Sequence, residues 1–389
     1  MNEKERIFEN AIGAFVNKPE ARKKKQDEAI DYFSELQKNQ KQFSDVETVC
    51  NLASIIRWRA IENLDKYLIE FEANFIKRGG KIIWAQDTNE AATEIKKLVK
   101  NPAAVYLPVN PGNLVKECSI SDIFSSAQKT GRYNSAIAEA DFLAANPGAV
   151  CIMNPEKEFM ACESKIILAG IDKMLPLVSD FDLFLHLQSV YQFQTPLTCL
   201  NQIITGPAIN EGGNYTEDIY VILVDNGRSK VLNDEIARQG LLCIGSGACR
   251  YTDSVYRMTD GENGGYSNQL LTTMLAYRSD FNSNFHLSDS QLLDGFSSSI
   301  CPVKIDFTKI ILHTRKLAVE KQLKSKSDKW FYFFWKKAML KRSPVLLKGI
   351  NTYGFFVNSI FNRSEKGLRN TYEPAKKSFN EQWREKMKL

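Results

Sequence analysis

Histidine is scarce in this 389-residue chain: three copies, at positions 186, 286 and 313, lie far apart in sequence. They assemble no Ser/His/Asp set and no zinc-ligand spacing, so imidazole acid–base chemistry has no evident bearer. Long uncharged apolar runs are absent too. The richest stretches, residues 329–337 and 354–361, are too short or too charged to span a bilayer. The opening Met1-Asn2-Glu3-Lys4-Glu5-Arg6 lacks an apolar h-region, so no secretory signal is expected and the cytoplasm is the expected location. The eight cysteines have no regular pairing, which argues for reduced thiols rather than a disulfide framework. Five of them, Cys50, Cys118, Cys151, Cys162 and Cys199, sit in apolar or mixed runs and read as packing.

Charge is present but uneven. From residue 304 onward there are 21 lysines and arginines against seven acids, which leaves the rest mildly acidic. At the centre of this basic tail, six aromatics at 330–335 stand between Lys329 and Lys336-Lys337. Such rings are expected to dock on the protein's own core or on a partner subunit. Membrane contact is a lesser expectation, and nucleic acid is not expected because no reader motif accompanies the charge.

Residues 4–77 read as helices, with Ile56, Ile61, Leu64, Leu68, Phe71 and Phe75 recurring at three- and four-residue steps before Gly79-Gly80 stops the run. Residues 81–85 then form a short strand, Asp87-Thr88-Asn89 an N-cap, and 90–100 a helix. Further strands are expected at 104–108, 148–153, 164–169, 183–186 and 219–224, and a helix at 231–240. This alternation predicts an α/β domain with a mostly parallel sheet. His186, in the apolar run 181–187, reads as a core residue. The glycine-rich stretch 261–266 follows no strand and is a weak phosphate cradle.

Two loops stand out. One contains Gly206 within residues 205–213. The other, Asp225-Asn226-Gly227-Arg228-Ser229, follows a strand directly, where ligands of open α/β sheets bind. Arg228 could hold an anion with both guanidinium arms, or could pair internally and hold a tight turn at Asp225-Asn226-Gly227.

The spacing at 243–253 is that of a bacterial cluster-binding run, Cys-x2-Cys-x2-Cys-x3-Cys. Its four positions are Cys243, Ser246, Cys249 and Asp253. A second copy ends at Cys301-Pro302, with Asp294 and Ser297 upstream. In two-cluster proteins the terminal Cys of each run serves the other cluster. Cys301 therefore joins Cys243, Cys249 and Ser246 at one site, and the other site keeps no thiol. Hard oxygen ligands do not suit a soft thiolate cage, so at most one [4Fe–4S] cluster is expected. The competing reading is a cluster loop kept as scaffold after its metal was lost.

The order of these features resembles the lactate utilization protein B family, the iron–sulfur subunit of bacterial L-lactate oxidation. The resemblance is carried by Gly79-Gly80-Lys81-Ile82-Ile83-Trp84-Ala85, residues 138–154 with Gly148, Ile171-Asp172-Lys173, Ile204-Thr205-Gly206-Pro207 and Val224-Asp225-Asn226-Gly227-Arg228-Ser229. It continues through 243–256, 301–305 and 369–379 with Trp383. It implies an LUD domain of the sugar-phosphate isomerase and CoA-transferase-like type at 79–240, after helices at 1–78. A degenerate ferredoxin-like segment at 241–303 and the basic helical region 304–389 follow. Residues 101–134 replace a longer family segment, so the sheet domain is expected to be trimmed. The function implied is an electron-transfer or accessory subunit in oxidation of L-lactate to pyruvate, partnered by other subunits of that complex and not catalytic alone. The alternative is a metal-free LUD domain that binds a small anionic metabolite through Asp225, Asn226, Gly227 and Arg228 with Gly206.

Overall fold

The computed structural model describes residues 17–109, 112–124, 133–196, 201–209, 217–258, 269–289 and 291–324. It adds a few positions before residue 17 and, toward the other end, 329–330, 332–333, 336 and 379–387. The chain divides into two compact units, Met1–Gln322 and Leu323–Leu389. In the second, helix Phe379–Met387 is described, and the rings of Trp330, Tyr332 and Phe333 are exposed. The glycine-rich stretch 261–266, the apolar run 354–361 and the terminal segment 369–378 lie outside the described residues, as does Cys199. Among the described residues no helix is long and apolar enough to cross a membrane.

The first unit opens with three helices, α1 (Pro19–Gln40), α2 (Val46–Glu62) and α3 (Leu64–Lys77). Proline at the first turn suits the start of α1, and Asp45 caps α2 by accepting the Glu47 amide. The periodic side chains Leu64, Leu68, Phe71 and Phe75 form the buried face of α3, and the chain leaves it through Gly79 at φ 88°. Strand β1 (Lys81–Ala85) and helix α4 (Thr88–Leu98) follow as the sequence predicts. Asp87 accepts hydrogen bonds from the amides of Asn89 and Glu90 at 2.8 and 2.9 Å, while Glu90 reaches back to the Gln86 amide at 2.7 Å.

The remaining strands are β2 (Val105–Tyr106), β3 (Ser135–Glu139), β4 (Phe142–Asn146), β5 (Ala149–Met153), β6 (Ser164–Gly170), β7 (Met174–Leu177), β8 (Asn201–Ile204) and β9 (Asp218–Val224). Five of the nine make a wholly parallel sheet in the order β1-β9-β6-β3-β2. The other four make a mixed sheet, β7-β4-β5-β8, in which β5 runs antiparallel to both neighbours. The parallel sheet was expected; the mixed one was not. Its strands are short, and β4 carries paired alanines that signal neither period clearly.

Two local expectations are corrected. Residues 183–186 are not a strand but the middle of helix α6 (Asp180–Gln188). Asp180 and Asp182 favour its first turn, and Phe181, Phe184, Leu185 and Gln188 bury one helical face. His186 is accordingly half-exposed, with Nδ1–H donated to the Asp182 carbonyl at 2.8 Å. The helix expected at 231–240 breaks in two, α7 (Arg228–Leu232) and a 3-10 turn Ala237–Leu242, because Asp234 captures the Ile236 and Ala237 amides. Cys50, Cys118, Cys151 and Cys162 are buried free thiols, as packing residues should be.

The helical end of this unit contains α8 (Cys249–Thr252), α9 (Ser254–Met258), α10 (Gln269–Arg278) and α11 (Phe307–Glu320). One apolar cluster joins α1 and α2 through Tyr32, Leu36 and Ala53 to Leu241, Leu242, Cys301, Val303 and Ile310. The thiol-bearing segment is therefore part of the main core. Asp87→Ala is expected to lower the unfolding free energy by about 1 kcal/mol, since both orphan amides of α4 lose their acceptor. Urea denaturation checks this, and an unchanged midpoint would count against the cap.

Candidate functional site

All strands of the parallel sheet point the same way, so the segments leaving β3, β6 and β9 meet at one edge. They deliver Glu139 and Asp141, then Asp172 and Lys173, then Asp225 to Arg228. The loop between the 3-10 turn and α8 lies over them and carries Cys243 and Ser246, with Cys249 the first residue of α8. Gly245 and Gly247 take φ 85° and 70° on either side of Ser246, a conformation most side chains avoid.

The three expected thiols and Ser246 line one small cavity of about 90 Å³, shared with Lys173 and Arg228. Cys301 is buried, while Cys243 and Cys249 are half-buried. Gly245 donates to Cys243 Sγ at 3.3 Å, and the nearby Val303 and Ile305 amides pull the Cys301 thiol down against burial. Burial pushes the Cys301 thiol up to about 12. Cys249 is driven well above its ordinary value by burial first, then by the neighbouring Cys243, Cys301 and Asp253. Without metal Cys249 and Cys301 are protonated at neutral pH, and a bound cation would have to displace those protons.

Among the described residues no three His, Cys, Asp or Glu side chains are grouped to hold a single metal ion. Cys243, Cys249 and Cys301 line a common cavity without converging on one point, and are the residues that would hold a thiolate-bound cluster.

The positions of a second cluster have acquired other duties. Asp253 is buried and caps α9 by accepting the Val255 amide at 2.9 Å. Asp294 accepts the Phe296 amide at 3.1 Å. Buried Ser297 hydrogen-bonds the Thr252 hydroxyl at 3.0 Å. The same spacing counted back from Cys301 also reaches Gln291, which the sequence reading passed over; it is buried and accepts from Thr273 at 2.8 Å. Asp253, Ser297 and Gln291 are buried and hydrogen-bonded while Asp294 is exposed, and none of these four oxygen-bearing residues suits a thiolate cage.

The Asp225–Arg228 loop is held by internal partners. Arg228 is 7 % exposed and forms an ion pair with Asp172. Burial alone would lower its pKa, but the Asp172 and Glu117 carboxylates overcome that and raise it. Asp225 accepts from the Ser229 amide and hydroxyl, both at 2.7 Å, and Asn226 donates to Glu117 at 2.9 Å. Gly227 has φ 80°, and a Cβ there would overlap the Arg278 carbonyl. Gly206 is elsewhere, against the backbone of Arg78 where α3 ends.

Beside the thiol cavity is a cleft of about 550 Å³ that the sequence did not reveal. The two share Glu139, Lys173 and residues 244–247 as a common wall. Glu139 accepts the Leu114 and Val115 amides at the start of the short helix α5 (Asn113–Glu117), and Asp141 accepts the Met153 amide at 2.8 Å. Burial raises the Asp141 carboxyl to about 6, against the opposing pull of that amide and of Lys173.

No family model matches the chain. Lactate utilization protein B of Bacillus cereus strain AH820 is 25 % identical over 341 residues, covering 70 % of this chain and 72 % of its own. The proteins of that name from Bacillus cytotoxicus and Bacillus thuringiensis strain Al Hakam are also 25 % identical, with the same coverage. The chain is thus similar to lactate utilization protein B over 70 % of its length. A solved DUF162 family protein from Deinococcus radiodurans aligns with 41 % of this chain and 98 % of its own, at 12 % identity and a TM-score of 0.31.

Asp141 supplies a test of the cleft wall. Its folded pKa, about 6, lies above the ordinary 3.8, so its contribution to stability is complete below 3.8 and is lost as pH rises through about 6. Asp141→Asn keeps an acceptor for Met153 and cannot ionise. Relative to this variant, the natural chain should lose unfolding free energy across that window, and parallel pH profiles would show that Asp141 is not desolvated.

Proposed function

We propose that the chain is a lactate-utilization subunit reduced to at most one [4Fe–4S] cluster, held by Cys243, Cys249 and Cys301 with Ser246 at the fourth position. The relatives named lactate utilization protein B support the system to which it is assigned. The observation that carries the cluster reading is the single cavity lined by all three thiols and by Ser246. An iron–sulfur cluster supplies one-electron transfer when bound. The chain's own residues do the rest. Amides on the Cys243 and Cys301 sulfurs offset thiolate charge, buried Arg57 adds a cation whose field reaches Cys243, and the core around Leu242 and Val303 excludes water.

On this reading residues 241–303 are a degenerate ferredoxin-like frame. The missing second cluster shortens any electron path, which suits an accessory subunit that exchanges electrons with partner subunits of an L-lactate-oxidising complex. A small anion on the Asp225–Arg228 loop is the weaker alternative, because Arg228 faces Asp172 and Asn226 faces Glu117.

Anaerobic reconstitution followed by iron and sulfide analysis tests the proposal. About four irons per chain are expected, with loss of the cluster in Cys249→Ser and Cys301→Ser. About eight irons would contradict the single-cluster count. Iron-free protein after reconstitution would overturn the cluster and leave the scaffold role.

A further inference from the structure

The cleft beside the thiols has a polar lining that the proposed redox role does not use. Gln188, at the end of α6, is 1 % exposed, and its Nε2 donates to the Ile244 carbonyl at 2.5 Å. That bond fixes the amide orientation, so Oε1 is the other end, and it has no hydrogen-bond partner. A buried acceptor left unmet is destabilising, and a donor brought to it from the cleft would offset that cost. Asp141 presents a second acceptor, its carboxylate taking one hydrogen bond among the described residues, from the Met153 amide to Oδ2. Lys173 is half-buried between the two cavities and forms no hydrogen bond or ion pair with a described residue.

These groups define a ligand by complement. Two acceptors call for hydroxyl donors, and the Lys173 ammonium, which attracts Glu139, Asp141 and Asp172 through space without a hydrogen bond to them, can take one acidic terminus. The volume, about 550 Å³, is that of a small-metabolite site and far exceeds what a three-carbon acid fills. We propose that this cleft binds a polyhydroxylated carboxylate of the sugar-acid class, with its carboxylate on Lys173 and hydroxyls donated to Gln188 Oε1 and Asp141. The assignment uses none of the cluster positions and stands or falls separately from them.

Titration calorimetry on the full chain, as purified and again after iron reconstitution, tests it with four- to six-carbon aldonates such as D-gluconate. Sorbitol, which has hydroxyls without the acid, and propionate, which has the acid without hydroxyls, are the controls. At least one aldonate should saturate with Kd below about 1 mM, and each control should bind at least about tenfold more weakly. Lys173→Met should weaken the aldonate about tenfold or more and leave sorbitol unchanged; Gln188→Met should weaken both. Melting temperatures of the variants verify that they fold, and the half-buried Lys173 position gives a readout even if Gln188→Met does not. Absence of saturation by every aldonate up to about 10 mM, propionate binding as well as an aldonate, or aldonate binding unchanged by Lys173→Met would each overturn the assignment.

Discussion

The arrangement rests on one buried cation. Arg57 projects from α2 into the core at 1 % exposure and donates to four backbone carbonyls. Leu242 and Met174 accept at 3.0 and 2.8 Å, and Asp172 and Leu241 at 2.5 and 2.6 Å. Two of these belong to the chain just before Cys243, and two flank the link from β6 to β7. A single guanidinium thus ties the N-terminal helices to both sheets and to the thiol loop. Burial lowers its pKa to about 10, but it remains charged at neutral pH because Asp172 and the carbonyl dipoles compensate.

Around that pin the chemistry is layered. Asp172 turns its backbone oxygen to Arg57 and its carboxylate to Arg228, so the segment leaving β6 is fixed from both sides. Lys173, the next residue, is thereby presented to both cavities. From the other direction Tyr32 of α1 stacks on Tyr251 with ring centroids 3.8 Å apart, holding α8 and with it Cys249. A thiol-lined cavity and a larger cleft with a common wall follow from this packing, whatever occupies each.

Much of the parallel sheet was legible in the sequence. The strand at 81–85, the cap at Asp87 and the strand at 219–224 each combine a local signal with the period of their element. The mixed sheet was not legible, since strands such as Phe142–Asn146 are short and alanine-rich and gain their stability from partners distant in sequence. The helix at 180–188 hid within an apolar run that length alone could not assign. That Cys243, Cys249 and Cys301 line one cavity was legible because cluster-run spacing carries a rule for which thiols of two distant runs are brought together. The cleft was not, because Asp141, Lys173 and Gln188 are brought together by three different elements. Arg57 gave no signal at all: an arginine on a helix reads as solvated, and only the tertiary fold shows four carbonyls waiting for it.

The pin is tested most directly by hydrogen exchange on Arg57→Leu. If one guanidinium holds the loop and the β6–β7 link together, amides at 172–177 and 241–249 should gain exchange rate jointly. Overall stability should fall by about 3–5 kcal/mol, the cost of leaving buried acceptors unpaired. Faster exchange confined to α2, with the thiol loop protected as before, would contradict the account.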